Sequence, residues 1–299
     1  MDFSVIIPHR NSIETLRTLL CSIPQSPEIE IIIADNSPTP ITKEEINVDR
    51  DYILCYADPS RFAGGARNEG MTYATGKWLV FADADDYFAP GAFDTFYNNI
   101  DSTADVIYFC AEGIYSDTKE HSDRGDSYTN MTRGYLNGTV AEDYIRCRFC
   151  TPWAKMVRKS LVDEHHITYD EVKANNDDYF ALLIGYYAKT IAAVDSIVYI
   201  ITVTCDSITR KKDFESVKSR YMVTLRLNQF MRQHGLSHNQ RSCMLFLSQS
   251  LKFGIGPFFS FLKEAINYRQ NIFIGLGRWP KTIINVMRKN SSESKYTTK

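Results

Sequence analysis

Along the first hundred residues, short apolar runs alternate with stretches whose apolar positions recur at helical spacing. Phe3–Pro8 (FSVIIP) is a β-branched run that predicts a first strand. Asn11 then opens an N-x-x-E sequence in which Glu14 is placed to close a capping box, and Ile13, Leu16, Leu20 and Ile23 follow on one helical face. Glu30–Ala34 (EIIIA) is uninterrupted, as in strands buried on both faces of a parallel sheet, and Tyr52–Tyr56 is a weaker third run. Ala63, Ala66, Gly70 and Ala74 give a helix a face of small residues suited to close packing on a sheet. Trp78–Ala82 (WLVFA) predicts a fourth strand that runs directly into Asp83-Ala84-Asp85-Asp86. Pro90 suits the first position of a helix carrying Phe93, Phe96 and Ile100. This order predicts an α/β fold with a doubly wound, mostly parallel sheet and right-handed crossovers.

Beyond residue 104 the pattern loosens. Asp105–Phe109 predicts another strand, followed by a polar, loop-like region through about Gly138. Tyr179–Tyr187 is apolar at helical spacing and Ile197–Val203 reads as a strand. After Asp213 the pattern is helical, through Phe214, Val217, Tyr221, Leu225 and Met231, with amphipathic pieces to about Arg288. The last ten residues, NSSESKYTTK, read as a disordered tail.

Composition adds class and compartment. Of 299 residues, 44% are hydrophobic and 23% charged, which excludes disorder over most of the length. The formal charge of −2 implies no nucleic acid or other polyelectrolyte partner for the chain as a whole. That average divides unevenly. Residues 241–299 hold ten Lys/Arg against two acids, a net of +8, which leaves −10 for residues 1–240. Helices that combine these cations with Phe258, Phe259, Phe261, Ile272, Phe273 and Trp279 fit either an anionic membrane surface or a packed helical cap with a solvated basic face. No apolar run is long enough to span a bilayer; Phe253–Leu262 is too short and contains Pro257. The start MDFSVIIPHR lacks the basic, long-apolar pattern of a secretory signal, and seven scattered cysteines do not form a disulfide framework. The lone Cys147-x-x-Cys150 reads as reduced thiols. A cytoplasmic protein is expected, held at the inner face of the membrane if the tail docks there.

In a sheet of this kind ligands bind at the carboxyl ends of the strands. Three polar segments fall there: His9-Arg10-Asn11, Asp35-Asn36-Ser37 and Asp83–Asp86. The D-x-D pair suits Mg²⁺ or Mn²⁺ shared with substrate phosphates, though an acidic turn has the same residues. Asp35 could accept from a nucleobase N–H and ribose hydroxyls, or simply shape an Asp-Asn-Ser-Pro turn. Gly64-Gly65-Ala66-Arg67-Asn68-Glu69-Gly70 lacks both the dinucleotide glycine spacing and a Walker lysine, which excludes those two phosphate loops. Arg67 remains a cation able to pair with phosphate or orient a carboxylate. Asn176-Asp177-Asp178-Tyr179 opens a helix, where a carboxylate serves either as a general base or as an N-cap. Trp153 in Thr151-Pro152-Trp153-Ala154-Lys155 could floor a sugar or fill the core. His9, His165 and His166 show no partner in sequence and read as structural or rim residues.

Taken together, these segments resemble glycosyltransferase family 2, the inverting group with the GT-A fold. FSVIIPHRN resembles the family's opening strand, with His9-Arg10-Asn11 where Pro-x-Tyr-Asn usually ends it. IIIADNS is similar to the usual V-D-D-G-S, with Asn36 in place of the glycine. GGARNEGMTYATGKWLVFADADD follows the family's A-R-N-x-G to D-x-D-D segment nearly residue for residue. TPWAK, KSLV…HHITYDE and NDDYF resemble the acceptor half, and YIITVTCDSIT the strand and turn that close it; the likeness covers residues 3–210.

The resemblance implies a GT-A-type fold with a C-terminal helical extension. Residues 1–104 would bind the nucleotide-sugar, 105–210 the acceptor, and 211–299 would form the basic extension. It implies nucleotide contacts from Pro8, Arg10, Asn11, Asp35, Arg67, Asp83 and Ala84, with Asp35 reading the base and Asp83 near the ribose or diphosphate. Asp85 would ligate Mn²⁺ or Mg²⁺, and Asp178 would take the acceptor proton. Trp153, Asp86 and Asp177 would line the acceptor or sugar site. The implied donor is a UDP-sugar and the implied acceptor a saccharide or lipid-linked saccharide of a surface polysaccharide. A catalytically silent binder on the same fold is the alternative; a nucleotidyltransferase would want glycines after the first strand, which His9-Arg10-Asn11 lacks.

Overall fold

Phe3–His9 (β1) is buried at every position, because a continuous β-branched and aromatic run can sit at the centre of a parallel sheet. The computed structural model describes residues 1–203 and 213–275; the turn after Val203, Trp279 and the tail from Asn290 lie outside them. β1 pairs in parallel with Ile29–Asp35 (β2), so that His9 stands opposite Asp35. Ile53–Tyr56 (β3) flanks β2, and Trp78–Phe81 (β4) flanks β1 on the other side, both parallel. Tyr87–Phe88 (β5), Val106–Tyr115 (β6), His121–Ser122 (β7), Lys155–Arg158 (β8) and Ile191–Val203 (β9) complete the sheet. Its order is β3-β2-β1-β4-β8-β6-β9-β5, with β7 on β6. β8 enters antiparallel between β4 and β6, whereas β6 and β9 run parallel.

The helices are Ile13–Ser22 (α1), Lys43–Ile46 (α2), Phe62–Tyr73 (α3), Ala92–Tyr97 (α4), Asp126–Leu136 (α5), Glu142–Arg148 (α6), Lys159–Glu164 (α7), Asp178–Tyr187 (α8), Phe214–Gln233 (α9), Met244–Ser250 (α10) and Ile255–Asn267 (α11). The small-residue face of α3 works as its sequence implies. A Cβ at Gly70 would lie 2.8 Å from Ile6 Cγ2, so only glycine lets the helix sit this close to β1. At the other end of α3, Gly64 leaves room for the Asp170 carbonyl, which an added Cβ would meet at 1.9 Å.

Four local expectations change. The first helix is capped by Ser12 without a side-chain bond, while Asn11 takes a left-handed φ of 57° and its N–H donates to Ser37 Oγ. The capping box forms instead on α2, between Thr42 and Glu45. Pro90 precedes α4, which starts after Gly91 at φ 78° and ends before Ile100. The polar region to Gly138 is not a loop: β6 continues to Tyr115, and β7 and α5 follow. α5 hides from hydropathy because it buries threonines, whose hydroxyls donate to the β6 carbonyls (Thr129 to Ala111, 2.6 Å; Thr132 to Phe109, 3.1 Å). β9 begins six residues earlier than expected, since its first half is only partly buried.

The chain divides into two compact units, Met1–Ser219 and Arg220–Lys299. In the second, Tyr221 stacks on Phe261 at 4.4 Å, and the buried Asn228 amide donates to the Arg241 carbonyl and to Gln270 Oε1. No helix among the described residues is long and apolar enough to cross a membrane.

Candidate active site

At the ends of β1 and β2, one side-chain pair organises the loops. His9 Nδ1 lies 2.8 Å from Asp35 Oδ1, with both side chains fully buried. The Ser12 N–H donates to His9 Nε2 at 3.1 Å, so the ring proton is on Nδ1 and points at Asp35. Asp35 Oδ1 also accepts from the Ser37 hydroxyl at 2.6 Å, and Oδ2 accepts from the Ile41 N–H at 3.0 Å. Beside it, the buried Asn36 Nδ2 has no hydrogen-bond partner among the described residues. A carboxylate held rigid next to an unused amide donor can bind a group that offers both an N–H and a carbonyl.

At the end of β4, Asp83 is held from two directions. Its N–H donates to the Tyr199 hydroxyl at 2.8 Å, and its Oδ1 accepts from Arg67 Nη2 at 2.5 Å. Arg67 also donates through Nη1 to Asn176 Oδ1 at 2.8 Å, and its guanidinium lies 5.2 Å from the Tyr169 ring centroid. Arg67 Nε and the Tyr169 hydroxyl are buried without partners among the described residues. Asp86 is buried and accepts from the Thr202 N–H at 2.8 Å, while the Thr202 hydroxyl donates to the Asp85 carbonyl. The Asp85 side chain is exposed. Loss of solvent, then the neighbouring carboxylates, raises Asp85 above and Asp86 well above the ordinary carboxylate range; Arg124 offsets part of this.

Residues 149–178 close on this cluster from the other side. Trp153 is 4% exposed and stacks on Tyr199 at 5.5 Å. The ring read as a sugar floor is therefore a support behind the Asp83 turn. The buried Lys155 Nζ donates to the Phe149 and Thr151 carbonyls at 2.6 Å each, closing the loop that carries Trp153. Burial pushes Lys155 down to about 7. Ala154, between them, is held at φ 54°, a left-handed conformation costly for alanine and one that concentrates at functional sites. Asn175 shares it at φ 58° and donates to Asp178 Oδ2 at 3.0 Å. Asp178, 5% exposed, is the first residue of α8. Asp177 is more open; desolvation and then the Asp178 charge push it up to about 7, with Arg67 acting against them.

Arg67, Asp83, Asn176 and Asp177 thus come together from α3, the end of β4 and the segment before α8. Arg10 points outward and donates to the Pro59 carbonyl, Asn11 is exposed, and Pro8 and Ala84 are buried. Four participants escaped sequence reading: His9, Tyr169, Asn176 and Tyr199. Only His9 carried a signal, since a polar residue ending β1 must face its counterpart at the end of β2 in a parallel register.

No three His, Cys, Asp or Glu side chains converge to hold a metal by themselves among the described residues. The acidic turn nevertheless fits a divalent cation shared with a diphosphate. Asp85 presents an open carboxylate, and a cation would offset the mutual repulsion that, after loss of solvent, raises Asp85 and Asp86.

The chain is similar in sequence and fold to known proteins. Residues 4–165 match the family model of glycosyl transferase family 2. EpsH of Bacillus subtilis (strain 168), named as a glycosyltransferase, is 24% identical over 233 residues, 73% of this chain and 66% of EpsH, so the chain spans just under two thirds of that relative. WfaP of Escherichia coli, named as a UDP-Glc:alpha-D-GlcNAc-diphosphoundecaprenol beta-1,3-glucosyltransferase, is 37% identical over 89 residues, 28% of this chain and 36% of WfaP. Among solved structures, S. aureus TarS 1–349 in complex with UDP-GlcNAc superposes with a TM-score of 0.58 at 20% identity, covering 91% of this chain and 75% of TarS. Mannosyltransferase PcManGT from Pyrobaculum calidifontis, in complex with GDP-Man and Mn²⁺, gives 0.56 at 14% identity, covering 94% and 79%. These likenesses establish the GT-A-type α/β fold that the sequence resemblance implied.

Proposed function

Because the chain belongs to glycosyl transferase family 2, we propose that it transfers a sugar, with inversion, from a UDP-sugar to a hydroxyl of a saccharide or lipid-linked saccharide. The reaction belongs to surface polysaccharide synthesis on the cytoplasmic side of the membrane. The observation that carries this reading is Arg67, which joins Asp83 of the acidic turn to Asn176 beside Asp177. One guanidinium ties the donor-side carboxylate to the segment that carries the acceptor-side carboxylates. TarS, crystallised with UDP-GlcNAc, and WfaP, named for a diphosphoundecaprenol acceptor, support the donor and acceptor classes.

The residues divide the work. Asp35 and the free amide of Asn36 offer an acceptor and a donor to the uracil edge, and the His9 contact keeps Asp35 oriented. Asp83, aligned by Arg67 and Tyr199, faces the ribose or diphosphate. Asp85 would hold Mn²⁺ or Mg²⁺, which when bound offsets charge on the departing diphosphate. The base sits in the Asp177–Asp178 pair. Asp178 is the residue the family resemblance points to, yet it is buried and already accepts from Asn175, whereas Asp177 is the more open to an incoming hydroxyl. We therefore assign the base to Asp177. Its carboxylate takes the acceptor hydroxyl proton as that oxygen bonds to the anomeric carbon. The bond from that carbon to the diphosphate breaks on the opposite face, and the nucleoside diphosphate leaves.

A screen of UDP-, GDP- and dTDP-sugars with nucleotide release as readout tests the reading. UDP release above heat-killed background is expected. Release only from GDP- or dTDP-sugars would reassign the base contact, and release from none, with Mn²⁺ and saccharide acceptors present, would leave a silent binder.

A further inference from the structure

Helix α11 has two apolar faces, of which the fold uses one. Phe261 and Ala265 are buried in the second unit, against Tyr221 and its neighbours. Ile255, Phe259 and Ile266 point away at 71%, 59% and 70% exposure, and Leu262 lies between them. These four positions, i, i+4, i+7 and i+11, fall within about 60° of arc on a helix of 3.6 residues per turn. The turn before the helix extends the same character: Leu251, Lys252, Phe253, Gly254 and Ile255 are consecutive exposed residues. A soluble surface rarely exposes so continuous a run of large apolar side chains.

The charges around the stripe point to what covers it. Lys252 stands in the turn, Lys263 lies beside the stripe and Arg269 just past the end of the helix, all exposed. Glu264, the sole acid between 241 and 275, falls on the opposite side of the helix. Near the end of α11 a cavity of about 320 Å³ is lined by Gln229, Arg232, Gln233, Asn267, Tyr268 and Arg269. Arg232 is anchored there by the Tyr268 carbonyl and Gln270, whereas the Arg269 guanidinium has no hydrogen-bond or ion-pair partner among the described residues. Apolar side chains that enter an acyl layer, with cations and amide donors at their border, are the chemistry of a phospholipid surface. A second protein copy would pair this basic border with itself and meet like-charge repulsion.

We propose that the turn 251–255 and the outward face of α11 lie in the interface of an anionic phospholipid bilayer, with Lys252, Lys263 and Arg269 at the phosphate level. Binding of this kind is independent of the transfer reaction. Flotation of the full-length protein tests it, with vesicles of phosphatidylcholine alone and of phosphatidylcholine mixed with phosphatidylglycerol. The protein is expected to float with the mixed vesicles, less with the neutral ones, and less as salt rises. Phe259→Asp with Ile266→Asp should lower the bound-to-free ratio about tenfold or more. Lys252→Glu with Lys263→Glu should lower it only for the anionic vesicles. Phe253→Ser with Ile255→Ser is a second apolar variant, and unchanged circular dichroism certifies that each variant is folded. Three results would overturn the proposal. They are a wild type that stays at the bottom of both gradients, folded apolar variants that float like the wild type, or a solution dimer that these substitutions dissolve while vesicle binding persists.

Discussion

His9 and Asp35 face each other across the parallel register of β1 and β2, and their side chains meet at 2.8 Å in a fully buried contact. Because the Ser12 N–H occupies Nε2, the imidazole serves Asp35 as a fixed single donor. His9→Ala should leave two buried groups short of a partner, at about 1–3 kcal/mol of stability. It should also weaken UDP binding in calorimetry. His9→Asn, which can place an amide donor near the Nδ1 position, should recover more of both than His9→Gln. Equal UDP affinity in all three would remove Asp35 from the nucleotide site.

Arg67 makes two directed bonds, to Asp83 and to Asn176, from a side chain that is almost wholly buried. A lysine ammonium is a single point charge and cannot reproduce the fork. Arg67→Lys should therefore keep part of the charge balance beside Asp83 yet lose the link to Asn176. The expected result is a fall in kcat/KM of about tenfold or more, with a smaller drop in melting temperature than for Arg67→Met. A lysine variant with wild-type kcat/KM would show that the bridge is structural only.

The part of the site on β1, β2 and β4 was legible because its residues sit at the ends of strands whose apolar runs are continuous, so Asp35 and Asp83–Asp86 could be placed from the chain alone. The part built from residues 149–202 was not. Tyr199 meets Asp83 from 116 residues away and Asn176 meets Arg67 from 109, and no local pattern encodes such distances. Helix α5 was invisible for a different reason: it satisfies its buried threonines by hydrogen bonding to β6, which hydropathy scores as exposure. Trp153 shows the limit of residue type as a guide, since the same ring can floor a sugar or, as here, support Tyr199.

The Asp85 carboxyl is raised by desolvation within the acidic turn and then by the Asp83 charge. A divalent cation should stabilise the deprotonated cluster, so Mn²⁺ or Mg²⁺ together with UDP should raise the wild-type melting temperature more than UDP alone. EDTA should abolish sugar transfer and either metal restore it. Asp85→Asn should lose both the metal-dependent shift and the activity. Full transfer in chelator would sink the role.

Two shifted groups give stability opposite slopes on either side of neutral pH. Asp177, about 7 when folded and near 3.8 otherwise, binds its proton more tightly in the native state between those values, so its contribution to stability falls as pH rises from about 4 to about 7. Lys155, about 7 when folded and near 10.5 otherwise, is held more tightly by the unfolded chain, so its contribution rises from about 7 to about 10. Chemical denaturation across pH should show Asp177→Asn flattening the lower limb and Lys155→Met the upper one. Interchanged effects would refute these assignments.

The base assignment rests on the difference between two adjacent carboxylates. Asp178 is buried at the start of α8 and accepts from Asn175, whereas Asp177 is more open. Asp177→Asn should lower kcat by about 10²–10⁴ while leaving UDP affinity nearly intact, because the lost interaction is with the acceptor proton. Asp178→Asn should cost less in kcat and more in melting temperature. Since the working form is the carboxylate, wild-type kcat/KM should rise with pH and level off above about 7, with a single acidic limb. If instead Asp178→Asn is the crippled variant and Asp177→Asn turns over, the base moves one residue along the helix start, to the position the family resemblance first indicated.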